Sequence, residues 1–235
     1  MNQDSSHFIR YLESLKDSMI FGSLPGSELR KFLGSMKPER WPAGTFKNSS
    51  EVSFALHFIV MGKIKAFQIN PNTGREHTIF ILTSGSLFDI IYFLDRRPHD
   101  VYWEVLEDLE LLSYPMEDMK RWLSEYPILN HTILRYLGHK MRQFEDTTAD
   151  ISLHNTLVRL AHLLLKHINE ESHQLEVINN LSNDEIASLI GTTRAVVNRH
   201  IQVLKKCGAI RVSRKHIDIK DIEVLFSISE ERLVP

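Results

Sequence analysis

The sequence predicts an α+β chain in three parts. A β roll with N-terminal helices covers residues 1–126, one long helix covers 127–154, and a winged helix-turn-helix covers 155–235. Three observations carry this reading. Between Trp41 and Tyr114 the chain breaks into short β-type runs separated by turn signals. From Leu134 to Ile151 apolar residues recur at alternating spacings of three and four. Between Leu181 and Ile210 two short amphipathic patterns flank Gly191.

Residues 5–33 read as helical with a break from Gly22 to Gly26, and Phe8, Leu12, Leu15 and Ile20 could pack on the next domain. Ala55 to Met61 and Lys63 to Asn70 read as strands flanking Gly62, followed by a Pro71-Asn72-Thr73-Gly74 turn. His77 to Thr83, Val101 to Val105 and Leu109 to Tyr114 supply further strands. Antiparallel runs at this close spacing suit a barrel or jelly roll rather than a parallel sheet. In the long helix, Leu134, Leu137, Met141, Phe144, Thr148 and Ile151 form a narrow heptad seam among charged neighbours, as in a two-helix dimer interface. Asn155 suits the N-cap of the next helix, so residues 151–155 read as a hinge.

The C-terminal part carries the sharpest signal. Ser182 and Glu185 form an S-x-x-E capping box, and Ile186, Leu189 and Ile190 share one face of the helix it starts. Gly191 suits a left-handed turn, and Thr192 or Thr193 can cap the second helix. Val196, Val197, Ile201 and Leu204 point inward in this reading, which leaves Arg194, Ala195, Asn198 and Arg199 outward. Arginine reads guanine edges in the major groove and asparagine reads adenine. Ala209 to Ser213 and His216 to Ile219 form a hairpin wing whose tip is Arg214-Lys215. Residues 194–216 hold Arg194, Arg199, Lys205, Lys206, Arg211, Arg214 and Lys215 and no acid. That is roughly +7 on a chain of formal net charge −2, so about −9 remains elsewhere. Confined basicity on an acidic protein is the footprint of a phosphate-binding face, and double-stranded DNA is the expected partner.

Other classes are excluded or weakened. A single cysteine, Cys207, rules out a disulfide within the chain and an iron–sulfur cluster held by four of its cysteines; it reads as a small buried residue or a redox-sensitive thiol. No apolar run approaches the ~18 residues of a membrane span, and the N-terminus lacks a signal-peptide pattern, so the cytoplasm is the expected compartment. The 12 histidines show no HExxH or paired Cys/His zinc pattern. Asp150 and His154 could make a two-ligand metal face, but a local helix pair also explains them, and no metal site is assigned. A cupin-type metalloenzyme would need a His-x-His cluster, whereas only isolated His57 and His77 lie around the strands.

A β roll, one long helix and a winged helix-turn-helix, in that order, resemble the catabolite activator / fumarate-nitrate regulator (CRP/FNR) family from about Phe21 to Ile219. PERWPAGTFK (38–47), HFIVMGKIKAF (57–67), GREHTIFILTSGSLF (74–88), the helix from Tyr126 and LSNDEIASLIGTTRAVVNRHIQVLKKCGAI (181–210) carry the resemblance. It implies a cyclic-nucleotide-binding-like β roll and a homodimeric transcription regulator on a pseudo-palindromic operator, not an enzyme. RNA polymerase would be a partner if the regulator activates. Arg199 stands where the family reads guanine, Arg194 matches a second arginine of the cyclic-AMP branch, and Ala195 replaces a common glutamate. Alanine cannot accept from cytosine but can touch a thymine methyl.

The input end departs from the best-known members. Phe88-Asp89-Ile90-Ile91 and Asp100-Val101-Tyr102 replace the glutamate and arginine that hold ribose and phosphate, so cyclic AMP is not the expected effector. Asp89 and Ile91 also occupy the cysteine and histidine positions of the haem-binding, carbon-monoxide-sensing members, although His57, His77, His99 or Met61 could ligate haem in another geometry. The resemblance implies an unidentified small molecule held between β roll and dimer helix by Arg75, His77, Asp89, Tyr92, Tyr102, Trp103, Tyr136, Lys140 and Phe144. Aromatic rings beside basic groups would suit an aromatic anion or another carboxylate. A haem-dependent gas sensor and an effector-independent regulator remain the alternatives.

Overall fold

The computed structural model describes residues 5–169, 174–213 and 216–233. The chain divides into two compact units, residues 1–68 with 80–142 and residues 69–79 with 143–235. The division falls inside the long helix and assigns the tip of one β hairpin to the C-terminal unit.

The chain begins with α1 (Ser6–Lys16) and α2 (Gly26–Ser35). Ser5 caps α1 by accepting from the Phe8 amide at 3.2 Å, and Phe8, in the first turn, is fully buried. There follow β1 (Lys37–Trp41), β2 (Phe46–Asn48), α3 (Ser49–Val52), β3 (Ala55–Ile69), β4 (Glu76–Leu82), β5 (Leu87–Phe88), α4 (Ile90–Asp95), β6 (Tyr102–Pro115), α5 (Met116–Glu125) and α6 (Pro127–Leu153). The strands form one sheet of order β1-β6-β3-β4, with β2 also on β6 and β5 on β3. Phe8, Phe21, Phe32, Phe58, Tyr114 and Trp122 sit in one core, with Phe32 4.8 Å from Tyr114 and 5.0 Å from Trp122 between ring centres. Its helical cover includes the start of α6, where Leu129, Ile133 and Tyr136 are buried.

Glu110 on β6 is buried, yet it accepts from Tyr11 at 2.7 Å and Arg40 at 3.3 Å and pairs with Arg10. Burial alone would raise its pKa; the tyrosine hydroxyl and the two guanidinium groups outweigh that and hold it below the usual carboxylate value. An acid inside this strand therefore ties α1 and β1 to β6.

Two pairs of strands expected from the sequence are single strands. β3 runs through Gly62, where the pairing with β6 shifts register, and β6 runs unbroken from Tyr102 to Pro115. Gly62 has φ +99°, and a Cβ there would lie 2.3 Å from the Asp108 carbonyl oxygen. A Gly62→Ala variant should therefore lose at least about 2 kcal/mol, from backbone strain plus a clash with main chain that has no rotamer to move. Urea unfolding should show the midpoint falling at unchanged slope; an unaltered midpoint would contradict this account.

In the C-terminal unit, the end of α6 leads into α7 (Thr156–Lys166), α8 (Asn183–Leu189), α9 (Arg194–Lys206), β7 (Ile210–Ser213), β8 (His216–Ile219) and α10 (Ile222–Ser229). Asn155 caps α7 as its position suggested, accepting from the Leu157 and Val158 amides at 3.0 and 3.2 Å. Leu160, Leu164, Val197, Leu204, Ala209 and Leu225 are among its fully buried residues. β7 and β8 pair antiparallel from Ile210↔Ile219 to Ser213↔His216, and Gln174 bridges to Asp218. Arg214 and Lys215, the expected wing tip, lie outside the described residues. Among the described residues no helix is long and apolar enough to cross a membrane.

Candidate nucleic-acid interface

The local chemistry of residues 181–193 sets where α9 starts. Ser182 Oγ accepts from the Glu185 amide at 3.2 Å while the Glu185 carboxylate accepts from the Ser182 amide, closing the capping box. α8 ends at Leu189, Gly191 with φ +68° then reverses the chain, and the Thr192 amide donates back to the Ala187 carbonyl at 2.9 Å. Thr193 occupies the N-cap position of α9 in extended backbone but makes no side-chain cap bond. Thr192 is half-buried.

With the start fixed, helical periodicity assigns the faces. Val197, Ile201 and Leu204 are buried, while Val196 is only half-buried. Thr193, Arg194, Ala195, Asn198, Arg199, Lys205 and Lys206 are exposed. Arg194 Nη1 lies 3.2 Å from Asp184 Oδ2, with both side chains largely in solvent. Asn198 Oδ1 accepts from Asn183 Nδ2. Arg199 has no ion-pair partner among the described residues. His200 turns away from this face, within 2.7 Å of the Thr156 hydroxyl. Burial and then the Arg199 charge lower its pKa. The exposed face is thus cationic and able to present two guanidinium groups and an amide to base edges. Cys207 is half-buried and its thiol donates to Leu204 O at 3.3 Å.

Residues 181–210 alone did not reveal what holds this face. Asn183 and Asp184 of α8 position Asn198 and Arg194. Arg159 of α7 reaches the Ile190 carbonyl at 3.2 Å and the carbonyls of His154 (2.8 Å) and Ile151 (2.6 Å). An arginine inside an apolar helix, beside Leu160 and Ala161, was the one visible hint.

The residues expected to line an effector pocket separate into groups. Arg75 belongs to the C-terminal unit and donates to the Gly191 carbonyl at 3.0 Å. Beside it the Thr78 amide and hydroxyl contact Ser188 Oγ at 2.9 and 2.8 Å, and His77 is exposed. Phe144 is also in that unit. In the N-terminal unit, Tyr136 exchanges hydrogen bonds with Leu87, donating to its carbonyl at 2.9 Å and accepting from its amide at 3.2 Å. Burial raises the Tyr136 pKa to about 12. Lys140 lies 5.1 Å from the centre of the Phe80 ring and 5.5 Å from that of Tyr136. Trp103 is buried, with its indole N–H lacking a partner among the described residues.

Asp89, Tyr92 and Tyr102 cluster near a cavity of about 440 Å³, lined by Tyr92 and Tyr102 with Ser49, Ser50, His99 and Asp100. Asp89 adopts left-handed backbone at φ +61° and is buried; its Oδ1 bonds His99 Nε2 at 2.9 Å and its Oδ2 has no partner among the described residues. That bond to Asp89 raises the His99 pKa. His57, a haem-ligand candidate, has its lowered pKa through burial. Its Nε2–H donates to Val52 O at 3.2 Å, leaving Nδ1 to accept from Ser113 at 2.8 Å.

Along α6, Leu134 is 66% exposed, Met141 65% and Phe144 41%. Thr148 is exposed too. Leu137 instead packs against the N-terminal core, and Ile151 lies beside Gly191 in the C-terminal unit.

Comparison with known proteins agrees with this architecture. The family model of the Crp-like helix-turn-helix domain matches residues 158–228. The chain is 26% identical over 218 residues to a CRP-like cAMP-activated global transcriptional regulator of Mycobacterium tuberculosis, covering 91% of this chain and 97% of the relative. A mutant of CooA from Carboxydothermus hydrogenoformans superposes with a TM-score of 0.70 at 18% identity, over 85% of this chain and 90% of that one. The c-di-GMP-responsive global regulator CLP of Xanthomonas campestris gives 0.71 at 16% identity, over 84% and 100%. These are transcription regulators rather than enzymes. Residues 158–228 thus carry the Crp-like helix-turn-helix domain, and the chain as a whole, with a β roll, a long helix and an exposed cationic recognition helix in that order, is similar to transcription regulators of the CRP/FNR family.

Proposed function

We propose that this chain acts as a cytoplasmic homodimer on a pseudo-palindromic DNA site, with its affinity set by a small polar ligand of the β roll. The observation that carries the DNA reading is the acid-free outer face of α9, where Arg199, without an ion-pair partner among the described residues, is exposed together with Asn198 and Arg194. The exposed apolar seam of α6 supports the dimer, and a dimer places two recognition helices about 34 Å apart, one turn of DNA.

For the ligand, the cavity beside Asp89 supports a different chemistry from the anion that the sequence suggested. Its lining offers hydroxyls, two tyrosines, a histidine and Asp100, but no arginine or lysine. A phosphate there would meet Asp100 in the lining, with Asp89 close behind, and the one group able to carry a positive charge, His99, is already bonded to Asp89. A neutral or cationic polar molecule fits better, and cyclic AMP does not.

Selection from random duplexes, repeated with candidate ligands, tests both halves. Enriched sequences should be two-fold related, each half carrying a guanine. Cyclic AMP at about 1 mM should leave the melting temperature unchanged, because only a ligand that favours the folded state raises it. Enrichment of asymmetric sequences would sink the dimeric reading; a cyclic AMP-induced rise would sink the ligand reading.

A further inference from the structure

Asp150 and His154 lie one turn apart at the end of α6, kept in helical spacing by the His154 amide bond to Asp150 O at 3.1 Å. Asn155 then caps α7 and turns the chain back. The reversal sets His162 against both residues. His162 Nδ1 is 2.7 Å from Asp150 Oδ1, and its ring stands perpendicular to that of His154 with centres 5.0 Å apart. One donor atom from each of the three lies within 4.8 Å of the others, and all three residues are half-buried. A fourth oxygen is close: Glu231 Oε1, on the turn after α10, is 3.7 Å from His154 Nδ1.

We propose that Asp150, His154 and His162 bind a divalent transition-metal ion of the zinc type, with Glu231 or water completing its shell. Two imidazoles and carboxylate oxygen, without thiolate, suit zinc and its first-row neighbours, whereas calcium and magnesium take oxygen alone. A tetrahedral ion with bonds of ~2.1 Å needs donors ~3.4 Å apart, so closing the present spread takes side-chain rotation of about an ångström. The Asp150–His162 contact by itself explains two of these residues but not why a donor atom of His154 lies within 4.8 Å of both. The backbone framework exists without the ion, because Arg159, three residues before His162, already clamps the Ile151 and His154 carbonyls.

The same Arg159 holds the Ile190 carbonyl at the helix-turn-helix. An ion bridging α6 and α7 would stiffen this joint and so bias the presentation of α9. That consequence rests on the DNA-binding function; the metal site does not, and its test reads the ion directly.

Full-length protein stripped with a chelator is titrated with Zn²⁺ against a competing chromophoric chelator. We expect one ion per chain, bound at about 10 µM or tighter, with affinity reduced at least about tenfold in His154→Ala and His162→Ala. Zinc should raise the melting temperature of the wild type and not of these variants. His131→Ala, an exposed histidine elsewhere on α6, should bind as the wild type does. Asp150→Asn, which retains a hydrogen-bonding side chain against His162, repeats the test should either alanine variant unfold. X-ray absorption of the zinc-loaded protein should show nitrogen and oxygen ligands only. Equal affinity in the folded variants, no binding at about 100 µM, or a sulfur ligand from Cys207 would each overturn the site.

Discussion

Replacing Arg199 with alanine should lower affinity for the selected operator by about thirtyfold to ten-thousandfold and remove the preference for guanine at one position in each half-site. A bidentate arginine–guanine pair contributes roughly 1–3 kcal/mol of discrimination, and a symmetric complex contains two such pairs. Arg199 is the side chain to choose because it is exposed, sits in the first half of α9 and has, among the described residues, no ion-pair partner that must be broken before it reaches a base. Arg194 differs, being paired with Asp184. That pair is exposed on both sides and therefore weak, so it orients more than it stabilises. Lys205→Ala is the contrast. A lysine at the end of the helix meets phosphate, so its loss should weaken all sequences alike and reduce the salt dependence by about one counterion per half-site. Affinities for the operator and for a duplex with the guanine replaced, measured at several salt concentrations, separate the two effects. An Arg199→Ala protein that still distinguished those duplexes would show that the base is read by another residue.

The helix-turn-helix was legible because its signals are local. A capping serine, a glutamate three residues on and a glycine at the reversal act within one or two turns of chain, and each takes up the bond or backbone angle its type suggests. The β roll was legible as texture but not as strand count. Gly62 reads as a break, yet it is the irregularity that lets β3 continue past Asp108. The candidate sites depended on longer reach. Nothing in the spacing from Asp150 to His162 announces a cluster, since their approach is made by the turn at Asn155. Arg75 looked like a ligand-binding cation because it sits among β-roll residues, but its partner is the carbonyl of Gly191 far along the chain. Heptad periodicity shows that a face of α6 is apolar without saying what covers it. Leu137 turned out to pack on its own unit while Leu134 and Met141 face solvent.

Those two residues give the other large effect. Leu134→Glu combined with Met141→Glu should convert a dimer into monomers in sedimentation at about 10 µM and lower operator affinity by a thousandfold or more. Burying a leucine or methionine stabilises by roughly 1.5–3 kcal/mol, and two-fold symmetry counts each position twice. The substituted glutamates would also meet their symmetry mates across the seam, adding repulsion to the lost burial. The folded chain should tolerate the change, because Leu134 and Met141 are 66% and 65% exposed and neither belongs to the core built on Leu129, Ile133 and Tyr136. Unaltered far-ultraviolet circular dichroism and melting of each unit would verify that. The discriminating measurement is binding to a single half-site. The base-reading residues Arg194, Asn198 and Arg199 all lie on α9, away from the seam of α6, so weak half-site binding should survive in the variant while the gain from joining two half-sites disappears. A variant that remained dimeric would place the dimer contact elsewhere; one that became monomeric yet kept full operator affinity would detach DNA recognition from dimerisation altogether.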